Sequence, residues 1–110
     1  MDPSDNLFVP PAGPHGEETI TALIRNPAFT LEHIVSRGAA SPEGFWYDQD
    51  RDEWVLLLRG EAELRFESGE IIRLTAGDPL PIAAHCRHRV ERTSDDAVWL
   101  ALHYEQDSRP

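Results

Sequence analysis

The most informative stretch of the sequence is EWVLLLRG at residues 53–60, which runs on into EAELRFE at residues 61–67. The first part is a continuous apolar run behind a carboxylate. Its length suits a strand buried on both faces, although periodicity alone leaves a buried helical segment open. The second part alternates between apolar and charged residues, which is typical of a strand with one solvated face. Gly60 can adopt the positive φ angle of a tight turn. The sequence therefore predicts a central β-hairpin, with Glu53 at the start of its inner strand.

Short strands separated by turns extend outward from this hairpin. Turn residues recur about every eight to twelve positions and no stretch has a helical period, which indicates an all-β barrel or sandwich of about nine or ten short strands. We predict further strands over residues 19–25, 29–36, 45–49, 70–74, 79–83, 87–93 and 97–104. The expected organisation is one domain, with a poorly ordered or edge-docking leader (1–18), a barrel (19–104) and a polar tail (105–110).

The composition restricts the partners and the compartment. Twenty acidic residues against ten basic ones give a net charge of −10, which argues against a nucleic acid or an anionic membrane as partner. The single cysteine, Cys86, cannot form an intrachain disulfide. The N-terminus lacks the features of a signal peptide, and no apolar run reaches the ~18 residues of a membrane helix. These features predict a cytoplasmic protein.

Two residues carry the strongest chemical signal. Glu53 opens an apolar strand, so its carboxylate either faces solvent in the preceding turn or is buried and needs a partner. His88 faces the interior if the chain from residue 87 onward is extended. An inward histidine is a frequent metal ligand, and it is equally a common hydrogen-bonded core residue.

Other side chains could complete a site. His85 lies three residues before His88, in a loop, and Gln49 offers an oxygen ligand beside the central hairpin. His103 on the last predicted strand could line a pocket, although core packing is the alternative. Aromatic residues are candidates for the pocket wall, namely Trp46, Tyr47 and Trp54.

These residues resemble the two sequence motifs of the cupin family. In the first motif a glutamate is followed after six residues by a glycine, as Glu53 is by Gly60. In the second motif a histidine stands eleven positions after a glycine, as His88 does after Gly77. The resemblance covers roughly residues 30–104. It implies a cupin-type double-stranded β-helix, or jelly-roll barrel, in agreement with the turn spacing.

The chain departs from the cupin motifs at several metal-binding positions. The two histidines of the first motif fall on Tyr47 and Gln49, or on Trp46 and Asp48 with the longer motif spacing. Of the four ligands of a typical cupin metal site, the resemblance therefore leaves Glu53 and His88 in register.

The resemblance implies a metal site with both nitrogen and oxygen ligands. Glu53 and His88 would be ligands, with Gln49 and His85 as auxiliary ligands. Such a set suits a divalent transition metal, namely iron, manganese, nickel or zinc. A metal with open positions could activate a bound oxygen ligand or orient a small organic substrate.

The first functional hypothesis is thus a cupin that binds a divalent metal and a small organic ligand in the barrel lumen. It would include a metal-dependent enzyme of the dioxygenase or isomerase type. The alternative is a metal-free cupin that binds or senses a small polar metabolite without catalysis. A third reading is a plain structural dimer, because an open jelly roll must cover its strand edges. The resemblance also implies a homodimer.

Overall fold

The computed structural model describes residues 6–105, which form eight strands and no helix. The strands are β1 (Thr19–Arg25), β2 (Phe29–Val35), β3 (Asp52–Arg59), β4 (Glu61–Phe66), β5 (Ile71–Thr75), β6 (Pro79–Ile82), β7 (His88–Thr93) and β8 (Val98–Tyr104). The predicted all-β fold is confirmed. Within residues 6–105 nothing helical is long and apolar enough to cross a membrane.

The strands form two antiparallel sheets that face each other as a jelly-roll barrel. The larger sheet has the order β1-β2-β8-β3-β6, and the smaller one has the order β5-β4-β7. Neighbouring strands in each sheet are mostly distant in sequence, as in the β2–β8 and β3–β8 pairs. The barrel is therefore held by long-range pairing, which brings residues from both halves of the chain to one interior.

The predicted central hairpin is wrong. β3 pairs with β6 and β8, whereas β4 pairs with β5 and β7, so the two strands belong to different sheets. Gly60 does have the predicted positive φ, at 84°. It turns the chain at a crowded corner, where an added Cβ would lie 2.9 Å from the Cα of Ala97. The glycine thus carries the chain from one sheet to the other.

The number of strands is also corrected, from nine or ten to eight. The predicted aromatic strand at residues 45–49 forms only an isolated bridge, in which Tyr47 pairs with His88. Residues 7–9 of the predicted leader form a turn and no edge strand. The carbonyl of Leu7 in this turn is 2.9 Å from Nε2 of His33. The outermost parts of the predicted leader and tail, residues 1–5 and 106–110, lie outside the described residues.

The core lies between the two sheets and follows from the alternation of the sequence. On β4, the apolar residues Ala62, Leu64 and Phe66 are buried and the charged residues between them are not. On β3, Val55 and Leu57 point into the barrel, while the residues of its other face are half-buried. Both sheets contribute to one cluster, which contains Val55, Leu57, Ala62, Leu64, Phe66, Leu74, Ile82, Ala97, Trp99 and Ala101.

Candidate ligand-binding cavity

A buried carboxylate lies at one end of the barrel interior. Glu53, near the start of β3, is only 8 % exposed. Its Oε1 lies 3.7 Å from Nε2 of His88, and its Oε2 lies 3.6 Å from Nε2 of His103. Both distances exceed those of protein hydrogen bonds, and residues 6–105 offer this carboxyl group no shorter polar contact. Glu53 is therefore buried between two imidazoles without a hydrogen bond to either.

His88 is held in one tautomer and one orientation. Its Nδ1 lies 2.8 Å from the carbonyl oxygen of Cys86. A carbonyl oxygen only accepts hydrogen bonds, so Nδ1 carries the proton and Nε2 of the neutral ring is an acceptor. The ring stacks on Tyr47 at 5.3 Å and packs on Phe66 at 5.9 Å between centroids. The acceptor Nε2 is therefore fixed on the side of Glu53.

His103 links Glu53 to a second carboxylate. β8 pairs with β3 so that His103 lies opposite Glu53. It pairs with β2 so that Glu32 lies opposite Ala101, two residues before His103 on the same face of β8. Nε2 of His103 is 3.0 Å from Oε1 of Glu32, which is within hydrogen-bonding distance. The order Glu32, His103, Glu53, His88 thus forms a row of alternating carboxyl and imidazole groups across four strands.

These polar groups border a cavity of ≈ 110 Å³ inside the barrel. Tyr47, Gln49 and Glu18 add further polar side chains to its lining. Most of the remaining lining is apolar and comes from both sheets, namely Ile20, Ile34, Val55, Leu64, Ile82, Val90 and Trp99. An apolar cavity with a few convergent polar groups is the usual form of a small-molecule site.

A short hydrogen-bond chain fixes the position of Glu18 at the cavity. The indole N–H of Trp99 donates to Oγ of Ser36 at 3.0 Å. The hydroxyl of Ser36 in turn donates to Oε2 of Glu18 at 3.3 Å. Ser36 is 1 % exposed, so this buried serine ties the residue just before β1 to the wall of the cavity.

The electrostatics of the cavity follow from burial. Removal from water raises the pKa of Glu53, more than the two neighbouring imidazoles lower it. Burial likewise raises the pKa of Glu18, against the opposing effect of the Ser36 hydrogen bond. The pKa of Tyr47 is raised by burial first and by the nearby carboxylates second. The cavity thus disfavours the accumulation of further negative charge.

The structure brings five of the predicted site residues together. The lining of the cavity includes Gln49, Tyr47, Glu53, His88 and His103. Glu53 and His88 come from different sheets, and the alternation on β3 and on β7 directs both inward.

Three of the predicted site residues lie elsewhere. The exposed His85 has a φ of 61° and its Nδ1 lies 2.7 Å from Asp48, so it is held on the surface and not near Glu53. Trp46 lies under the guanidinium of Arg87, 6.0 Å from ring centroid to Cζ. Trp54 follows Glu53 on β3, and the alternation of a strand puts it on the outer face of the sheet.

Three polar or aromatic lining residues, Glu32, Glu18 and Trp99, were not among the predicted site residues. Glu32 alternates with Leu31 and His33 on β2, and the face that it shares with Ile34 is the inner one. Glu18 lies in the predicted leader, where no periodicity marks it. Trp99 lies four residues before His103 on β8, on the same face of the strand. The alternation on β2 could have suggested Glu32, but it could not say which face is inside.

The donor groups of the cavity are too few to hold a metal ion by themselves. Residues 6–105 contain no group of three or more histidine, cysteine, aspartate or glutamate side chains arranged to hold one. The reason is that the donors form a row: the two oxygens of Glu53 face different imidazoles, and Nε2 of His103 is engaged by Glu32. Glu53 and His88 are two donors where a resident ion needs three or four. The described side chains alone do not form a complete metal site.

Comparisons with known proteins agree with the observed fold. No protein-family model matches the chain, and no curated protein does. A solved structure from Ralstonia eutropha JMP134, named as a putative mannose-6-phosphate isomerase, is 40 % identical with a TM-score of 0.83 and covers 92 % of this chain and 96 % of its own. KdgF from a Halomonas species is 22 % identical (TM-score 0.68, 82 % of each chain). A cupin superfamily protein from Desulfitobacterium hafniense DCB-2 is 18 % identical (TM-score 0.72, covering 86 % of this chain and 84 % of its own).

Proposed function

Since the chain belongs to the cupin superfamily, we propose that it binds a small polar organic molecule in the cavity inside its barrel. The observation that carries this proposal is the state of Glu53. The residue is 8 % exposed, and its carboxyl group has no hydrogen bond to residues 6–105. Burying a carboxylate that makes no hydrogen bond is costly. A ligand that donates hydrogen bonds to Glu53 would remove that cost.

The other lining groups would fix the orientation of the ligand. Nε2 of His88 can accept a hydrogen bond from the ligand at the same place, because Nδ1 carries the proton and donates it to the carbonyl of Cys86. Tyr47 and Gln49 border the same cavity with groups that can donate. The apolar walls contribute burial of the carbon skeleton. The volume of ≈ 110 Å³ limits the enclosed part of the ligand to a few non-hydrogen atoms.

The second candidate is a metal-dependent enzyme of the isomerase or dioxygenase type. The tautomer of His88 favours it, because its Nε2 is free to bind a metal and its Nδ1 is held by a carbonyl, as in many metal sites. Glu53 and His88 would hold a divalent ion of iron, manganese, nickel or zinc, with Gln49 adding an oxygen. His85 lies outside the cavity, so the bound molecule itself would have to complete the ligands. Such an ion would polarise a carbonyl or hydroxyl group of the substrate.

The two candidates are separated by metal content and by ligand response. The protein would be purified without a histidine tag, analysed for metals, and melted in the presence of small polar metabolites or divalent ions. Metal-free protein whose Tm rises with particular metabolites supports the first candidate. The second is supported by stoichiometric metal that is lost in Glu53→Ala and His88→Ala.

Matched variants make the first candidate refutable. Glu53→Gln and His88→Asn should abolish the ligand-induced rise in Tm, and both should remain folded. Glu70→Gln removes the same charge from an exposed turn between β4 and β5 and should leave the rise unchanged. If Glu53→Gln and Glu70→Gln respond to the metabolites as the wild type does, ligands do not bind in this cavity.

The remaining expectations about partners and compartment stay predictions. We propose a homodimer and a cytoplasmic protein, and the charge of −10 supports the absence of nucleic acid or an anionic membrane among the partners. Light scattering on the eluting protein would give a mass near twice 12.4 kDa. A mass of one chain at micromolar concentration would contradict the homodimer.

A further inference from the structure

The charged side chains of the cavity are all of one sign apart from its histidines. Three carboxyl groups line it, from Glu18, Glu32 and Glu53. No arginine lines it among the residues that the structure describes, and the chain contains no lysine. A ligand with a phosphate or carboxylate group would therefore enter without a cationic partner. Burying such an anion unpaired is strongly unfavourable.

Glu53 makes this cluster of carboxylates a site for a ligand and not only an acidic surface. It is more than nine-tenths buried, it has no hydrogen bond to residues 6–105, and it lines the cavity. The acceptor Nε2 of His88 lies 3.7 Å from its Oε1. This end of the cavity therefore presents several acceptors to whatever fills it.

An ammonium group matches that arrangement better than a hydroxyl group does. It carries three donors and no acceptor, and its charge compensates that of a buried carboxylate. A hydroxyl group offers one donor and also needs a donor of its own. Tyr47 and Trp99 contribute aromatic rings to the cavity wall, and an aromatic ring attracts a cation that lies over its face.

On the basis of the proposed function, we infer that the ligand is a small organic cation, a primary or secondary amine with a neighbouring hydroxyl group. Its ammonium group binds at Glu53 and its carbon chain lies along the apolar wall. Its hydroxyl group reaches the part of the cavity lined by Gln49 and Tyr47. The inference concerns the charge of the ligand, which the proposed function leaves open.

A neighbouring surface pocket supplies the competing possibility of a phosphorylated ligand. This pocket shares Glu32, Gln49 and His103 with the cavity and carries Arg25 and Arg51. Arg51 already donates to Thr30 and to the carbonyl of Pro27. Three carboxylates in the same pocket, Glu32, Asp50 and Glu105, outnumber the two arginines. The surface pocket therefore offers a phosphate group no net positive charge.

An isosteric series tests the sign of the charge directly. The probes are 3-amino-1-propanol (positive), 1,3-propanediol (neutral) and 3-hydroxypropionate (negative), each titrated into the full chain at fixed ionic strength near neutral pH. Amide chemical-shift changes report the dissociation constant and show whether residues of β3, β7 and β8 respond. Mannose and mannose 6-phosphate are titrated in parallel. We expect the amine to bind at least about tenfold more tightly than the diol, and the acid not to bind.

The variants separate this effect from general attraction to an acidic protein. Glu53→Gln keeps the shape of the side chain and removes its charge, so it should reduce the preference for the amine over the diol to about twofold or less. Glu70→Gln makes the same change in net charge and should preserve the preference. Loss of the preference in both variants would mean that the amine senses net charge only, which overturns the inference.

The other outcomes distinguish this inference from the proposed function. Equal binding of diol and amine, lost in Glu53→Gln, overturns the cation and keeps the small-molecule site. Tightest binding of mannose 6-phosphate, weakened in Arg25→Ala or Arg51→Ala, overturns the cation in favour of a phosphorylated ligand. If no probe perturbs the residues of the cavity, both the inference and the proposed function fail.

Discussion

The two ends of the β3–β8 pair are built differently, although the same strands form both. At one end Glu53 lies opposite His103, and at the other end Leu57 lies opposite Trp99. Leu57 is 0 % exposed and packs in the apolar cluster. Glu53 is almost as well buried, at 8 %, yet it has no hydrogen bond to residues 6–105. One end of the pair is therefore packed with apolar side chains, whereas the other end holds a buried carboxylate that makes no hydrogen bond to the described residues.

This difference shows that the binding site depends on which side chains occupy the inward positions of β3 and β8. The register of β3 and β8 is regular from Glu53 to Leu57 and shifts only beyond Leu57, so Glu53 and Leu57 point to the same side of the sheet. The distinction lies in the side chains at the inward positions, which are ionisable at one end and apolar at the other. Stability is expected to depend on the apolar end and binding on the polar end. The following predictions test that division, from the largest expected effect to the smallest.

Leu57→Ala should destabilise the protein the most. The side chain is fully buried, so the loss of its methyl groups and the cavity left behind should lower the free energy of unfolding by about 2–5 kcal/mol. Leu58→Ala, the same change at the next, half-buried position of β3, is the control and should cost clearly less. Urea denaturation measures both. Equal losses would contradict the assignment of Leu57 to the core.

Ser36→Ala should have the next largest effect, because it breaks a link between the two ends. It leaves the buried indole N–H of Trp99 without its acceptor and removes the donor to Glu18. We expect a loss of about 1–2 kcal/mol in the free energy of unfolding. Ser68→Ala in the exposed turn before β5 is the control, where water can replace the hydroxyl group. If Ser36→Ala lowers the free energy of unfolding no more than Ser68→Ala does, the hydrogen bonds of Ser36 do not stabilise the protein.

Glu53→Gln should stabilise the protein at neutral pH, by about 1 kcal/mol, because it removes a buried charge. Burial raises the pKa of Glu53 above its ordinary value of 4.5. Between pH 4.5 and the raised pKa of Glu53 in the folded protein, the folded protein holds more protons than the unfolded chain. The free energy of unfolding therefore rises as the pH falls through the pKa of the folded state. The advantage of the variant should therefore shrink as the pH is lowered towards 4.5.

The pH dependence is measured as a difference between two proteins, because other ionisable groups face Glu53 in the cavity. Glu18, Glu32, Tyr47, His88 and His103 are present in both proteins, so the difference reports on Glu53. Thermal melts of the wild type and of Glu53→Gln at a series of pH values give the difference in stability between the two proteins. A variant less stable than the wild type at neutral pH would show that the carboxylate is satisfied in the folded protein.

His85→Ala should have the smallest effect of all. Its side chain is exposed and contacts Asp48 on the surface, where water replaces the lost interaction. We expect no measurable change in Tm and no change in binding of cavity ligands. His88→Ala, three residues later, should abolish that binding. If His85→Ala impairs binding as His88→Ala does, the two histidines act at one site.

The sequence by itself determined the fold class and the inward positions of the key strands. Alternation on β4 and the apolar run of β3 predicted strands that the structure contains, with Ala62, Leu64 and Phe66 buried. The spacing of Glu53 and His88 within the cupin-like motifs predicted that they would meet, and their side chains lie 3.7 Å apart. Such local patterns suffice because burial of one face forces a period of two along a strand.

The tertiary structure alone decided which strands pair and which residues share the cavity. A turn glycine such as Gly60 is compatible with a hairpin and with a corner between sheets, and only the long-range pairing of β3 with β8 distinguishes them. Alternation also cannot say which face of β2 is inside, so Glu32 was missed. His85 and His88 are close in sequence, but the left-handed backbone of His85 sends its side chain to the surface. Which residues meet in the cavity depends on contacts between segments that are distant in sequence, and a local sequence pattern cannot predict those contacts.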